Sequence, residues 1–354
     1  MTDILTPEQS AEEAGLRYVS DSSAGYSRHR AGKGFFYRDS RGNKLTDKRT
    51  LNRIKNLAIP PAWNEVWISV KSNAHLQATG RDAKGRKQYR YHPDWAEERD
   101  RSKYEHVLEF GEALPGIRER VEKDMSKRGL PREKVIASVV KLLETTLVRI
   151  GNDEYARENK SFGLTTMRDR HVDISGSTIT FSYVGKSGVD HEIALKDRQL
   201  ATIVRKCRDI PGQQLFQYVD ENGNRLSVNS SDVNDYLKDI TGKNFTAKDF
   251  RTWAGTTLAA QALAEFGVDP NETTVQSNIV TAIERVAKQL GNTPAVCRKC
   301  YVHPAIVHAY MEGETIATIG QRARAHKELD PTLLEQAVME LIVRRLEQDE
   351  SGED

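Results

Sequence analysis

Cysteine is scarce in this chain, with three in 354 residues. That is too few for a disulfide framework and points to a reducing compartment. No run of about 18 apolar residues occurs, so no membrane-spanning helix is expected. The opening segment, MTDILTPEQSAEEAG, is acidic and lacks the apolar stretch of a secretory signal. Internal repeats and heptad arrays are missing too, which excludes a solenoid or a coiled coil. What remains is a chain with 38% hydrophobic residues, long enough for two domains.

A large net charge is also absent: the formal total is only +2. The distribution is uneven, however. Between Leu16 and His92 there are 17 Lys and Arg against 5 Asp and Glu, a local excess of 12. The rest of the chain is correspondingly acidic. A compact basic block with aromatics interleaved is the footprint of a polyanion-binding surface, and nucleic acid is the polyanion it suits best.

The pattern along the chain predicts an α+β protein in two parts. Residues 1–15 read as a disordered acidic leader. Residues 16–95 read as a small basic β-rich domain. Its strand-like runs are GFFYRDSRGNKL, EVWISV and AHLQATGRDAKGRKQYRYH, with turns at Gly42-Asn43 and Lys84-Gly85 and a helix near KRTLNRIKNL. HPDWAEERDRSK reads as the joint. Residues 96–345 read as a mainly α-helical domain, because apolar residues there recur at helical spacing. Within it HVDISGSTITFSYVGKSGVDHEIAL alternates with period two and predicts a small three-stranded antiparallel sheet. Residues 346–354 read as an acidic tail.

Three candidate sites fail. Gly185-Lys186-Ser187 resembles the end of a phosphate-binding loop, but that loop needs a glycine where Thr180 stands, and the stretch lies between strands. No nucleotide cofactor is expected. Cys297-Arg-Lys-Cys300 has the spacing of half a zinc site, but Cys207 stands alone and His303 follows too closely to wrap a tetrahedron. No metal is expected. The acidic residues are scattered among Lys and Arg partners, so no catalytic carboxylate pair stands out.

A different chemistry survives. Phosphoryl transfer at a nucleic-acid backbone without a metal needs fixed cations around the nonbridging oxygens, a nucleophile and a proton donor for the leaving alkoxide. Arginine suits the first task because its fork binds two phosphate oxygens. A phenol with its ordinary pKa of about 10 is ionised roughly once in a thousand at pH 7, so a tyrosine nucleophile needs cations beside it. The chain offers Arg149 near a helix end, Lys186 at a hairpin tip, Arg251 in KDFRTWAG, Asn292 in LGNTP, and Tyr301 nine residues later.

In that order these motifs resemble the type IB DNA topoisomerases of the small bacterial and poxvirus-like kind. VRIGNDEYARENKSFGLTTMRDRHV resembles the family's first arginine motif, FSYVGKSGVDHE its lysine hairpin, KDFRTWAG its second arginine motif and LGNTPAVCRKCYVHP its tyrosine segment. GRDAKGRKQYRYH resembles the hairpin that meets DNA in the major groove, with Arg86, Gln88 and Tyr89 at the contacting positions. The resemblance implies a clamp around double-stranded DNA. It implies that Tyr301 attacks the scissile phosphate to give a 3′-phosphotyrosyl bond, that Arg149 and Arg251 bind nonbridging oxygens, and that Lys186, aided by Arg149, protonates the 5′-oxygen. It further implies relaxation of supercoils by rotation and religation without ATP or a required metal, by a monomer in the cytoplasm (on the nucleoid, if the source is bacterial). Many relatives carry histidine where this chain has Asn292, which leaves a neutral hydrogen bond there instead of a proton transfer.

Two alternatives stand beside this reading. A tyrosine recombinase uses a similar residue set, but its second arginine motif begins His-x-x-Arg, whereas this chain has Lys248-Asp249-Phe250-Arg251. A non-catalytic DNA-binding protein would use only the basic block.

Overall fold

A computed structural model describes residues 6–32, 34–83, 85–319 and 330–351. The chain divides into two units, Met1–Glu105 and His106–Asp354.

The first unit opens with helix α1 (Pro7–Glu13). The described part of the leader expected to be disordered is therefore ordered from Pro7 onward. The reason is apolar anchorage: Ala11 and Leu16 are buried in a small cluster with Trp95. Residues 1–5 of that leader lie outside the described residues. A five-stranded antiparallel sheet follows, built from β1 (Gly25–Ala31), β2 (Gly34–Arg38), β3 (Asn64–Ser69), β4 (Leu76–Arg81) and β5 (Lys87–Tyr91). Its spatial order is β2-β1-β3-β4-β5, so β5 is an edge strand. Helix α2 (Lys48–Asn56) starts at Asp47, whose carboxylate accepts from the Thr50 N–H at 2.8 Å. It buries Ile54 against Val66, Ile68 and Ala78. Of the expected turn at Lys84-Gly85, Lys84 lies outside the described residues, and Gly85 takes the left-handed φ of +73° that the turn needs.

Helix α3 (Pro93–Met125) runs through the segment expected to be a joint, and the division between units falls inside it. Helical propensity is the cause: HPDWAEERDRSK contains only one helix breaker, Pro93, and it stands at the first position of the helix, where it is tolerated.

The second unit is mainly helical. Helix α4 (Arg132–Thr146) is its central member, buried along most of its length from Val135 to Leu143. After the short α5 (Asp153–Glu158) come β6 (Val172–Ser175), β7 (Thr178–Val184) and β8 (Asp190–Lys196), a three-stranded antiparallel sheet in sequence order. Helix α6 (Arg198–Arg208) leads to a two-stranded sheet that the sequence pattern did not predict, β9 (Gln217–Val219) with β10 (Arg225–Ser227). Then follow α7 (Ser230–Thr241), α8 (Ala247–Phe266), α9 (Glu272–Leu290), α10 (Pro294–Cys300), α11 (Pro304–Met311), α12 (Ile316–Ile319) and α13 (Pro331–Ser351). The start of the expected acidic tail belongs to α13; residues 352–354 lie outside the described residues. One continuous core joins these elements, with Phe110, Ile136, Phe181, Phe245 and Tyr310 fully buried.

Candidate active site

Arg251 anchors the site. A capping box fixes the start of α8: Thr246 N–H donates to Asp249 Oδ2 at 2.8 Å. That places Arg251 one turn into the helix, only 4% exposed. Its fork holds the ends of two other helices. Nη1 donates to the carbonyl of Leu147, just beyond α4, and Nη2 donates to the carbonyl of Leu290, the last residue of α9, at 2.7 Å. A cation is favourable at both helix C-termini. The third nitrogen, Nε, is buried with no hydrogen-bond partner among the described residues. Leu147 adopts the left-handed conformation, φ +56°, which a branched residue takes at a cost of about 1 kcal/mol or more. This cap turns its carbonyl toward Arg251.

Arg149 was expected at a helix end. It lies three residues past α4 instead, in irregular chain, because the helix closes at the Leu147 cap. Its backbone carbonyl accepts from the Leu164 N–H at 2.9 Å, which fixes this stretch. Its Nη2 donates to the Gly291 carbonyl at 2.8 Å and to Asn292 Oδ1. Burial and then the charge of Arg251 pull its pKa down, yet a guanidinium stays protonated in proteins. Two like charges are thus held close without a carboxylate between them, an arrangement suited to an anion with two or more oxygens.

Asn292 follows the left-handed Gly291 that closes α9. With Oδ1 occupied by Arg149, its Nδ2 is the donor left over; it is buried without an oxygen or nitrogen acceptor among the described residues and meets only the weakly accepting sulfur of Cys297.

Tyr301 sits at the end of α10, a helix opened by Thr293 as cap and Pro294 at its first position. Its N–H donates to the Cys297 carbonyl at 2.9 Å. Gly255 of α8 lies against it so closely that a Cβ there would stand 2.5 Å from the Tyr301 carbonyl oxygen. The hydroxyl of Thr256 accepts from the His303 N–H at 3.1 Å and pins the chain just beyond. The Tyr301 ring lies with the Arg251 guanidinium 5.2 Å from its centroid. Cys297, one turn before it in α10, is fully buried, and burial pushes its thiol up, away from thiolate reactivity, although Arg251 pulls the other way. No group of three or more His, Cys, Asp or Glu capable of holding a metal occurs among the described residues.

Lys186 occupies the tip of the β7–β8 hairpin, where Ser187 and Gly188 both have positive φ, 67° and 75°. It is exposed, and its ammonium makes no hydrogen bond or ion pair among the described residues. Four of the five expected residues are thus brought into one constellation, and the fifth stands on a hairpin beside it. The sequence reading missed Tyr183 and His191, cross-strand partners at the base of that hairpin. Burial pushes the Tyr183 phenol up to about 12 against the pull of Arg149 and Arg251. The signal available was an aromatic pair flanking a glycine-lysine tip.

In the first unit, Arg86, Gln88 and Tyr89 lie on or next to edge strand β5. Arg86 Nε and Gln88 Nε2 both donate to Asp82 Oδ2, at 2.8 and 3.0 Å. Tyr89 is stacked on Tyr91 at 5.9 Å, both about half exposed, and Lys87 lies 5.7 Å from the Tyr89 centroid. Two parallel exposed rings among cations on an edge strand have the geometry that base stacking and phosphate contact require. Tyr91 was not singled out by the sequence.

Comparison with known proteins agrees with this chemistry. Residues 86–329 match the family described as eukaryotic DNA topoisomerase I, catalytic core, and residues 34–82 match the bacterial DNA topoisomerase IB N-terminal domain. The chain belongs to the type IB DNA topoisomerases. It is 33% identical over 285 residues to DNA topoisomerase 1B of Acanthamoeba polyphaga mimivirus, covering 78% of this chain and 85% of that one. It is 25% identical over 298 residues to DNA topoisomerase 1B of vaccinia virus strain Copenhagen, covering 78% and 89%. As a family member the protein is a DNA isomerase, and its substrate class is double-stranded DNA. Among the described residues no helix is long and apolar enough to cross a membrane.

Proposed function

We propose that Tyr301 is the nucleophile of a reversible strand break. Its phenol gives up its proton to solvent, favoured by the guanidinium beside it, and the oxygen attacks the scissile phosphorus to form a 3′-phosphotyrosyl bond. The bond to the 5′-oxygen breaks, and Lys186 supplies the proton that this alkoxide needs. Arg149 and Arg251 bind the nonbridging oxygens, and Asn292 Nδ2 adds a neutral donor. The observation that carries this reading is the pair of buried donors, Arg251 Nε and Asn292 Nδ2, which no oxygen or nitrogen among the described residues satisfies, with the Arg251 guanidinium beside the Tyr301 ring and Asn292 against the weakly accepting Cys297 sulfur. Burying such donors costs free energy unless a ligand satisfies them, and a phosphate with its acceptor oxygens matches them.

The aryl phosphate retains the energy of the broken diester, so the 5′-hydroxyl religates without ATP. The downstream duplex rotates in between. The fixed guanidinium charges take the part a metal ion plays elsewhere. The basic first unit grips the duplex through Arg86, Gln88 and Tyr89, the second carries the chemistry, and together they act as a clamp formed by one monomer.

The test is relaxation of supercoiled plasmid in EDTA, with denaturation to trap the covalent adduct and peptide mapping of the attachment site. Relaxation together with attachment at Tyr301 supports the reading. Attachment at another residue, or a requirement for a divalent ion, overturns it.

A further inference from the structure

A general acid must be aimed, and Lys186 has no bond of its own that aims it. Backbone bonds close its hairpin, with the Gly185 N–H donating to the Val189 carbonyl at 2.7 Å, and the ring of His191 packs at the base. Tyr183 and His191 are directly opposed across β7 and β8, and their rings stack at 5.2 Å with an 18° interplanar angle. The edge of the imidazole fills the space over Gly185, the residue before Lys186. A Cβ at Gly185 would stand 2.5 Å from His191 Cδ2 and 2.7 Å from Nε2. The same ring reaches the turn that carries Asn292: a Cβ at Gly291 would stand 3.0 Å from His191 Cε1 and 4.0 Å from Arg149 Nη1. Gly291 is also the residue whose carbonyl Arg149 holds. Two glycines on separate elements therefore leave room for one imidazole, and both elements bear active-site groups.

The way the ring contributes follows from what it does not do. Neither nitrogen makes a hydrogen bond among the described residues, so no partner selects a tautomer. Burial, then the charges of Arg149 and Arg251, hold its pKa below the ordinary histidine value, which keeps a third cation out of the cluster. A flat neutral ring without hydrogen bonds acts through its shape and its contacts.

We propose that His191 is a positioning residue, a spacer wedged between Gly185 and Gly291 that sets the Lys186 hairpin at a fixed distance from the Asn292 turn and from Arg149. This rests on the reading of Lys186 as the proton donor. When Tyr301 attacks, its phenol proton leaves to solvent, the bond from phosphorus to the phenol oxygen forms, the bond to the 5′-oxygen breaks, and Lys186 protonates that oxygen. A strand with sulfur at the 5′-bridging position departs as a thiolate and needs no proton. A misaimed Lys186 therefore slows cleavage of ordinary DNA and spares cleavage of the sulfur-bridged strand.

The experiment is single-turnover cleavage of both strands by the full chain and its variants. Lys186→Ala is the control: a loss of about 100-fold or more on ordinary DNA, recovered on the sulfur-bridged strand, upholds Lys186 as donor. Without that recovery it is the donor assignment that fails, and the His191 inference falls with it. Given the recovery, His191→Ala is expected to cut ordinary DNA about 10- to 100-fold more slowly, the usual cost of a displacement near 1 Å, and to recover most of that loss on the sulfur-bridged strand. His191→Phe keeps a flat ring and is expected to cut ordinary DNA faster than His191→Ala. Equal slowing of His191→Ala on both strands, full activity on ordinary DNA, or a His191→Phe defect as deep as that of alanine would each overturn the proposal.

Discussion

The guanidinium of Arg251 lies 5.2 Å from the centroid of the Tyr301 ring while its two Nη atoms hold the carbonyls of Leu147 and Leu290. One side chain thereby fixes two helix ends, keeps a positive charge beside the phenol, and leaves Nε over. Removing the phenol oxygen leaves this scaffold in place. Tyr301→Phe is expected to abolish plasmid relaxation and the denaturation-resistant adduct while duplex binding, followed by gel shift, persists.

Arg251→Lys keeps the charge but loses the fork. It is expected to slow single-turnover cleavage by about 100- to 1,000-fold, the range seen when one transition-state donor is removed. Arg251→Ala additionally leaves two helix-end carbonyls without their charged partner. A stability loss of about 3 kcal/mol is expected, read from the urea midpoint, because bonds to a charged group contribute about 1.5–3 kcal/mol each.

Gly255→Ala tests the seating of the nucleophile. The added Cβ would come within 2.5 Å of the Tyr301 carbonyl oxygen, which is backbone and has little room to move. Cleavage is expected to fall by about 10- to 100-fold, with DNA affinity unchanged. Wild-type cleavage by this variant would show that the segment carrying Tyr301 shifts freely.

His106 gives the second unit a pH dependence. Its bond with Asp249, at 3.4 Å, raises its pKa above the ordinary value, with burial opposing. A folded-state pKa above the unfolded value means that the folded state binds the proton more tightly. The stabilisation is complete below the unfolded pKa and disappears as pH rises through the folded one. The gap in melting temperature between the wild type and His106→Gln is therefore expected to be largest near pH 5.5 and to shrink toward pH 8.

Arg86→Ala separates two modes of DNA contact. If Arg86 meets a phosphate, the slope of log affinity against log salt falls by about one and all sequences weaken alike. If it reads a base edge, the loss concentrates on particular sequences. Binding titrations across salt concentrations on two unrelated duplexes distinguish the outcomes.

The sequence made the long elements and the order of the reacting residues legible. The alternation in HVDISGSTITFSYVGKSGVDHEIAL matches β6, β7 and β8, and AKDFRTWAGTTLAAQALAEF is α8 from end to end. Short elements escaped because they complete too few periods to stand out: α10 has seven residues, and β9 and β10 three each. The leader was misjudged by its acidity, since a few small apolar residues tie it down: Ala11 and Ala14 pack with Leu16 and Trp95. Contacts between distant segments had no local signature. Arg149 meets Asn292 across 143 residues, and His191 finds room through Gly185 and Gly291, two glycines whose purpose shows only when their elements are side by side.

The left-handed cap at Leu147 bears on safety as well as geometry. A topoisomerase able to cut DNA before it had folded would be hazardous. Here the guanidinium beside the phenol is carried by α8 and held by the carbonyls of Leu147, just past α4, and Leu290, at the end of α9. With Tyr301 as the proposed nucleophile, a chain in which these ends are apart has the tyrosine but not the fixed charge beside it, so the power to cut would arrive together with the structure that reseals.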